Sequence, residues 1–340
     1  MRIRLAHAFE KLISIENLLG AWTEFVRGKR YKKDVIEFYV CLGDNIVLLH
    51  SALKNKTYQH GGYYGFSIFD PKPRSIHKAR VRDRLLHHAI YRVLYPFFDK
   101  KFIADSFSCR IGKGTHKALN RFRSFSYITS QSGKKQCWIL KCDVRKFFAN
   151  IDHDILVDIL RKDIEDSDIL WLLEGVIRSF SGMRSNVGLP LGNLTSQLLV
   201  NIYMNEFDQF MKHTLKVKYY IRYADDFVVF SRDKNYLETL IPIIKGFLYN
   251  NLKLELHPQK VSIKSLTSGV DFLGWVHFPD HRVLRTVTKK RMFRRIEESD
   301  SKEEMVASYL GMLSHGNGRK LQKEVKTIAS LCEMTRRPLY

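Results

Sequence analysis

Apolar residues recur at helical intervals near the start of the chain: Leu5, Phe9, Leu12, Leu19, Trp22 and Val26 mark one or two amphipathic helices packed on the body. Between Tyr58 and Pro73 the texture turns to Gly, aromatic residues and Pro (HGGYYGFSIFDPKP), which predicts extended chain and turns. From Trp138 a short apolar strand, WILKCDV, precedes a helical segment, HDILVDILRK, with Ile155, Leu156, Ile159 and Leu160 on one stripe. LTSQLLVNIYMNEFDQFMKH reads as a longer helix, and KVKYYIRYADDFVVFS alternates like two strands folded about a tight turn. The last 60 residues read as helical and basic. No internal repeat, low-complexity tract or Pro/Gly/Ser linker interrupts this order, so the subdomains are expected to be continuous with one another.

A length of 340 residues allows one large domain or a few subdomains sharing a core, and 45% hydrophobic with 27% charged residues is a folding composition. The charge changes the picture. Lys+Arg 57 against Asp+Glu 35 leaves a formal +22 and a pI near 9.7, which points to a polyanion, nucleic acid before anionic membrane. Residues 71–123 carry 14 Lys/Arg against three acids, and the last 60 carry 14 against seven. No apolar run approaches the roughly 18–20 residues that span a bilayer. Glu10 and Glu16 interrupt the N-terminal apolar stretch, and it has no small-residue cleavage site, so no secretory signal is expected. The five cysteines are scattered without a C-x-x-C pair, which argues against a zinc ribbon or disulfide framework and fits a reducing cytoplasm. No histidine stands at metal-ligand spacing, and His87-His88 reads as helix surface.

The sharpest chemical element is Tyr223-Ala224-Asp225-Asp226, flanked on both sides by apolar, β-prone residues. Adjacent carboxylates at the tip of such a hairpin repel one another and lose hydration, a cost of several kcal/mol unless cations or hydrogen bonds compensate. An exposed polar turn is the plainer alternative, weakened by the hydrophobic flanks and the absence of Gly. A second acid, Asp143, ends the apolar strand WILKC. If the two segments are neighbouring strands, Asp143, Asp225 and Asp226 converge at one sheet edge, where three carboxylates can hold two Mg²⁺ for in-line phosphoryl transfer. Asp152 and Asp154 read instead as a turn and an N-cap for the helix after them.

These segments belong to a larger set that resembles reverse transcriptases from about Pro71 to Gly318. LKCDVRKFFANID (140–152) resembles the palm aspartate-strand motif and YADD (223–226) the YxDD hairpin. PRSIHKARVRDRLLHHAI (73–90) and SFSCRIGKGTHKAL (106–119) look like the fingers motifs of group II intron and retron-type enzymes. GLPLGNLTSQLLVNIYMNEFD (188–208), LKLELHPQKVSI (252–263) and FLGW (272–275) resemble the remaining palm motifs. One departure stands out. Where most intron-type enzymes read Q-G-x-x-x-S-P, this chain has Leu191-Gly192-Asn193-Leu194-Thr195-Ser196-Gln197. That variant, with SYLGMLSHGNGRKL (308–321), resembles the reverse transcriptases of diversity-generating retroelements.

The resemblance implies an α+β, right-hand polymerase fold: N-terminal helices and fingers over 1–138, a palm with an antiparallel sheet over 139–280, and a helical thumb over 281–340. It implies an RNA-directed DNA polymerase in a bacterial host, making error-prone cDNA from a template-repeat RNA with dNTPs and two Mg²⁺ held by Asp143, Asp225, Asp226 and the Val144 carbonyl. Retron, abortive-infection or other defence enzymes are the nearest alternative. A catalytically dead nucleic-acid scaffold is the alternative of a different class, disfavoured because all three aspartates and Phe148 are present. Nucleotide-binding roles fall by resemblance on Arg74, Lys78, Arg80, Phe148, Gln197 and Lys260, with Phe148 against the ribose 2′-OH and Lys260 near the leaving pyrophosphate. Template and fidelity roles fall on Leu191, Gly192 and Ser196. For any one of the fingers cations, a plain RNA-backbone contact is an equal reading. A small basic helical-bundle accessory protein is the expected partner, since phosphate contacts carry little sequence information. By length, no RNase H or endonuclease domain is expected.

Overall fold

The computed structural model describes residues 3–69, 73–182, 184–298 and 303–336, with side chains as far as residue 330. Four helices open the chain: α1 (Phe9–Ile13), α2 (Ile15–Phe25), α3 (Lys33–Val40) and α4 (Leu42–Lys54). Ser14 breaks the first pair, its hydroxyl accepting from the Asn17 N–H as an N-cap. The break resets the helical phase. Leu18, Ala21, Trp22 and Phe25 form the buried stripe, and Leu19, expected in the core, is exposed.

The Gly- and aromatic-rich segment folds as a hairpin of β1 (Tyr63–Ile68) and β2 (Arg74–Ala79), whose connection around Pro71 lies outside the described residues. Two helices follow, α5 (Val81–Asp99) and α6 (Thr115–Thr129). His87, read from sequence as helix surface, is fully buried on α5, where its ring stacks on His60 and burial holds its pKa well below the usual imidazole value. The chain just before β1 covers this face of α5, with His60 against His87 and with Tyr58 and Gly61 donating to Asp83 one turn earlier, which sequence periodicity could not reveal.

The central sheet begins with β3 (Trp138–Asp143). After it come α7 (His153–Asp163), α8 (Ser167–Arg178), α9 (Leu194–Gln209), β4 (Tyr220–Tyr223), β5 (Asp226–Ser231), α10 (Lys234–Leu252) and β6 (Ser262–Ser265). Asp152 caps α7 by accepting from the Asp154 and Ile155 N–H groups, and Asp154 pairs with Arg178. A π-turn over Phe210–Thr214 ends the long helix. The strands run antiparallel in the order β4-β5-β3-β6.

Alternation along the strands gives each face its own core. Leu140, Cys142, Tyr220, Phe227 and Val229 join a cluster with α5, α9 and α10, while Ile139, Ile221, Val228 and Phe230 join another with Phe122 and Phe125 of α6. A second sheet, β7 (Val270–Phe272), β8 (Trp275–His277) and β9 (Arg282–Leu284), packs on that other face, followed by α11 (Thr286–Glu298), α12 (Glu303–Leu313) and α13 (Arg319–Arg336). The expected division at 280/281 therefore falls inside a sheet, because β9 pairs with β8. The two basic segments meet: Arg282 donates to Asn120 at 3.1 Å, and His116 stacks on His315 at 3.6 Å between ring centroids. Among the described residues no single helix is long and apolar enough to cross a membrane.

Candidate active site

Register sets the site. Asp143, the last residue of β3, pairs with Asp226, the first of β5, and Tyr223 of β4 also pairs with Asp226. That leaves Ala224 and Asp225 as a two-residue hairpin turn. Ala224 has φ +54°, a left-handed conformation that costs a residue with a Cβ on the order of 1 kcal/mol or more. Two contacts hold the turn. The Val144 N–H donates to the Asp225 carbonyl at 3.2 Å, and Arg222 Nη1 donates to the Ala224 carbonyl at 3.1 Å.

Arg222 is the functional residue that sequence reading missed. Its neighbours on β4 send Ile221 to the α6 face, so alternation turns Arg222 toward α9 with a fully buried side chain. There it grips Asp208 through Nε at 2.8 Å and Nη2 at 2.7 Å, and it also reaches Ser106 Oγ at 3.0 Å. The only signal in the sequence was a lone Arg inside the apolar run YYIRY.

Electrostatics fit a site short of positive charge. Burial, reinforced by Asp225 and Asp143 and opposed by Lys141, pushes the Asp226 carboxyl up to about 6. Burial, with repulsion from Asp143, likewise raises Asp225, against the pull of Lys260 and Arg74. Lys260 Nζ lies 2.8 Å from Asp143 Oδ1, placed there by a turn in which the His257 N–H donates to the Asp143 carbonyl at 2.7 Å. Lys141, another residue not singled out by sequence, shares the Asp143 face of β3, and its Nζ donates to the Asp271 carbonyl at 2.8 Å.

The remaining candidates divide into groups. Arg74 is exposed and close enough for its charge to act on Asp225. Lys78 is not with the carboxylates but pairs with Asp34 at 2.6 Å, and it lines a separate cavity of about 860 Å³ together with Arg80. The 191–193 segment is stitched to β2: the His77 N–H donates to the Leu191 carbonyl at 3.0 Å, and Asn193 Nδ2 donates to the His77 carbonyl at 2.8 Å. Gly192 sits at φ +102°, and a Cβ there would meet Ile76 Cγ2 at 2.9 Å, so a side chain is excluded twice over. Phe147 fills the core while Phe148 stays half-buried, its carbonyl accepting from the Leu189 N–H at 2.8 Å. Ser196 is buried and Gln197 half-buried in the first turn of α9. Val144 is buried beside the turn.

Carboxylate and carbonyl oxygens are the donors Mg²⁺ takes, and a bound cation would relieve the raised pKa values of Asp225 and Asp226, so the residues suit that ion. The site is not preformed as a cage, however: among the described residues no three His, Cys, Asp or Glu side chains stand close enough to hold one metal ion. Asp143 is instead engaged by Lys260.

Residues 69–277 match the family model described as "Reverse transcriptase (RNA-dependent DNA polymerase)". The chain belongs to the reverse transcriptase family. It is 26% identical over 251 residues to Protein YkfC of Escherichia coli K12, covering 63% of this chain and 64% of that protein. It is 24% identical over 287 residues to the group II intron-encoded protein LtrA of Lactococcus lactis, covering 65% of this chain and 46% of LtrA. The chain thus spans less than two thirds of either relative. Telomerase from Candida albicans, solved with a fragment of telomeric RNA, superposes with a TM-score of 0.54 at 13% identity, over 83% of this chain and 56% of that one. The architecture is the right-hand polymerase fold of mixed helices and antiparallel sheet, and the central sheet carrying Asp143 and the Asp225–Asp226 turn is its palm.

Proposed function

We propose that this reverse transcriptase is an RNA-directed DNA polymerase of a diversity-generating retroelement, copying a template-repeat RNA into error-prone cDNA in the cytoplasm of a bacterial host. The observation that carries the polymerase reading is the pairing of Asp143 with Asp226, with Asp225 in the adjoining turn. Asp143, Asp225 and Asp226, with the Val144 carbonyl, would hold two Mg²⁺. When bound, the ions supply positive charge beside the primer 3′-oxygen and the triphosphate.

The protein's own groups do the rest. In the transfer the 3′-oxygen bonds to the α-phosphorus, the bond to the β-phosphate oxygen breaks, and pyrophosphate leaves. Lys260 would give that leaving group a proton or a counter-charge, and Arg74 would neutralise the triphosphate. Phe148 closes the space a ribose 2′-OH would need. Leu191, Gly192, Ser196 and Gln197 shape the floor under the nascent base pair. Lys78 and Arg80, in their separate cavity, serve as RNA-backbone contacts.

The retroelement assignment is supported by Leu191-Gly192-Asn193-Leu194-Thr195-Ser196-Gln197 and by SYLGMLSHGNGRKL (308–321). With it comes a basic helical-bundle accessory protein that supplies template choice, which phosphate contacts do not. The intron-encoded relative favours a second reading, an intron- or retron-type enzyme.

Asp225→Ala with Asp226→Ala should abolish nucleotide addition while RNA binding persists; continued polymerisation by that variant refutes the assignment. Sequencing cDNA made on the native RNA separates the two types, because errors concentrated at template adenines belong to the retroelement reading and an even spectrum to the other.

A further inference from the structure

Away from the carboxylates, a cavity of about 410 Å³ opens where α6, the β8–β9 turn and the α12–α13 turn come together. Arg123 reaches it from α6, Arg282 from β9 and His315 from the α12–α13 turn. Among the described residues neither Arg123 nor Arg282 is paired with a carboxylate. The one acid on the cavity wall, Asp280, is exposed and bonded to His281 Nδ1 at 2.7 Å. Arg282 donates through Nε to the His315 carbonyl and through Nη2 to Asn120, but its Nη1 is buried with no partner. His277, only 3% exposed, lines the same cavity with Nε2 buried and unpartnered.

Buried polar nitrogens are ordinarily satisfied, and buried guanidinium groups are ordinarily paired. Here burial and the like charge of Arg123 lower the Arg282 pKa, and burial pushes His277 down to about 3, so the imidazole is neutral and adds no repulsion. What the arrangement lacks is an anion with several oxygens. A phosphate group meets that need, since it can accept from the unpartnered Nη1 of Arg282 and from the guanidinium of Arg123 through different oxygens. The surroundings point to a polymer. Exposed His116 and Lys117 lie about two turns before Arg123 on α6, and exposed Arg319 and Lys320 follow the α12–α13 turn, extending the positive field beyond what a lone ion would use.

We propose that Arg123 and Arg282 form a phosphate-binding site for the backbone of a bound nucleic-acid strand, clamping it where the thumb turn meets α6. The proposal rests on the polymerase reading only in taking a nucleic-acid strand as the source of the phosphate.

The test is fluorescence anisotropy of the full-length protein with labelled single-stranded RNA and with an RNA–DNA hybrid, over a salt series and without dNTPs. Arg123→Gln and Arg282→Gln should each weaken binding and reduce the slope of log Kd against log salt by about one, the mark of one lost phosphate contact. Arg123 is exposed, so its glutamine variant keeps the fold, and a melting curve checks the Arg282 variant. Wild-type affinity and slope in the Arg123 variant would overturn the proposal. So would stabilisation of the wild type, but not the double variant, by inorganic pyrophosphate while the nucleic-acid slopes stay equal, which would make this a free-anion site. Because no nucleotide is added, either failure leaves the polymerase reading standing. Conversely, a protein that never extends a primer would still report on this site.

Discussion

Arg222 and Asp208 face one another with neither side chain exposed, Nη2 to Oδ2 at 2.7 Å and Nε to Oδ1 at 2.8 Å. Desolvating such a pair costs several kcal/mol per ion, offset here by a bidentate geometry and by the Tyr220 hydroxyl, which donates to Asp208 Oδ1 at 2.8 Å. The guanidinium has another task, since it also holds the Ala224 carbonyl in the turn before Asp225. Arg222→Met should therefore destabilise the protein by about 3–5 kcal/mol, because it strands a buried carboxylate. Arg222→Met with Asp208→Leu should recover most of that stability in denaturant unfolding. Nucleotide addition should stay low in the double variant, because the turn then keeps only its Val144 tether. Recovery of both together would reduce the pair to a packing role.

The raised pKa of Asp226 carries a definite sign. In the folded state the carboxyl holds its proton up to about pH 6, above the value near 3.8 of an unperturbed Asp. Between those limits the folded state binds more protons, so its stability falls as pH rises, and the full penalty is present above about pH 6. The shift, in which Lys141 and Lys260 already offset part of the burial penalty, corresponds to an upper bound of about 3 kcal/mol. Asp226→Asn should thus melt at least about 2 °C higher than wild type at pH 8 without metal, and no higher at pH 4. Identical shifts at both pH values would place the strain elsewhere.

The Leu191 carbonyl is already used by the His77 N–H, and on the proposed function its apolar side chain stands near the nascent pair in place of a Gln. A missing hydrogen bond near the nascent pair removes on the order of 1–3 kcal/mol of discrimination. That is roughly ten- to hundredfold in misincorporation. Leu191→Gln should lower the error rate, most at template adenines, as read by sequencing the cDNA. An unchanged spectrum at measurable activity would assign Leu191 to packing alone.

Alternation and residue preference in the sequence determined the strand–turn–strand around Ala224 and Asp225 and an Asp cap at the start of α7, because each is a local pattern of period two or a fixed offset, whereas the meeting of Asp143 with Asp226 needed β3 to pair with β5. The charge excess likewise follows from composition and pointed to nucleic acid before any fold was known. Tertiary structure decided what depends on neighbours distant in the chain. His87 became core because the chain before β1 brings His60 onto α5, and Leu19 became surface because Ser14 shifted the helical phase. Lys78 was drawn to Asp34, 44 positions earlier, and Arg222 found its partner on α9. Arg123 and Arg282 share one cavity only because the thumb turn folds back onto α6. An ion pair or a cavity depends on separations of a few ångströms between side chains, and the order of residues along the chain sets those only after the elements have packed.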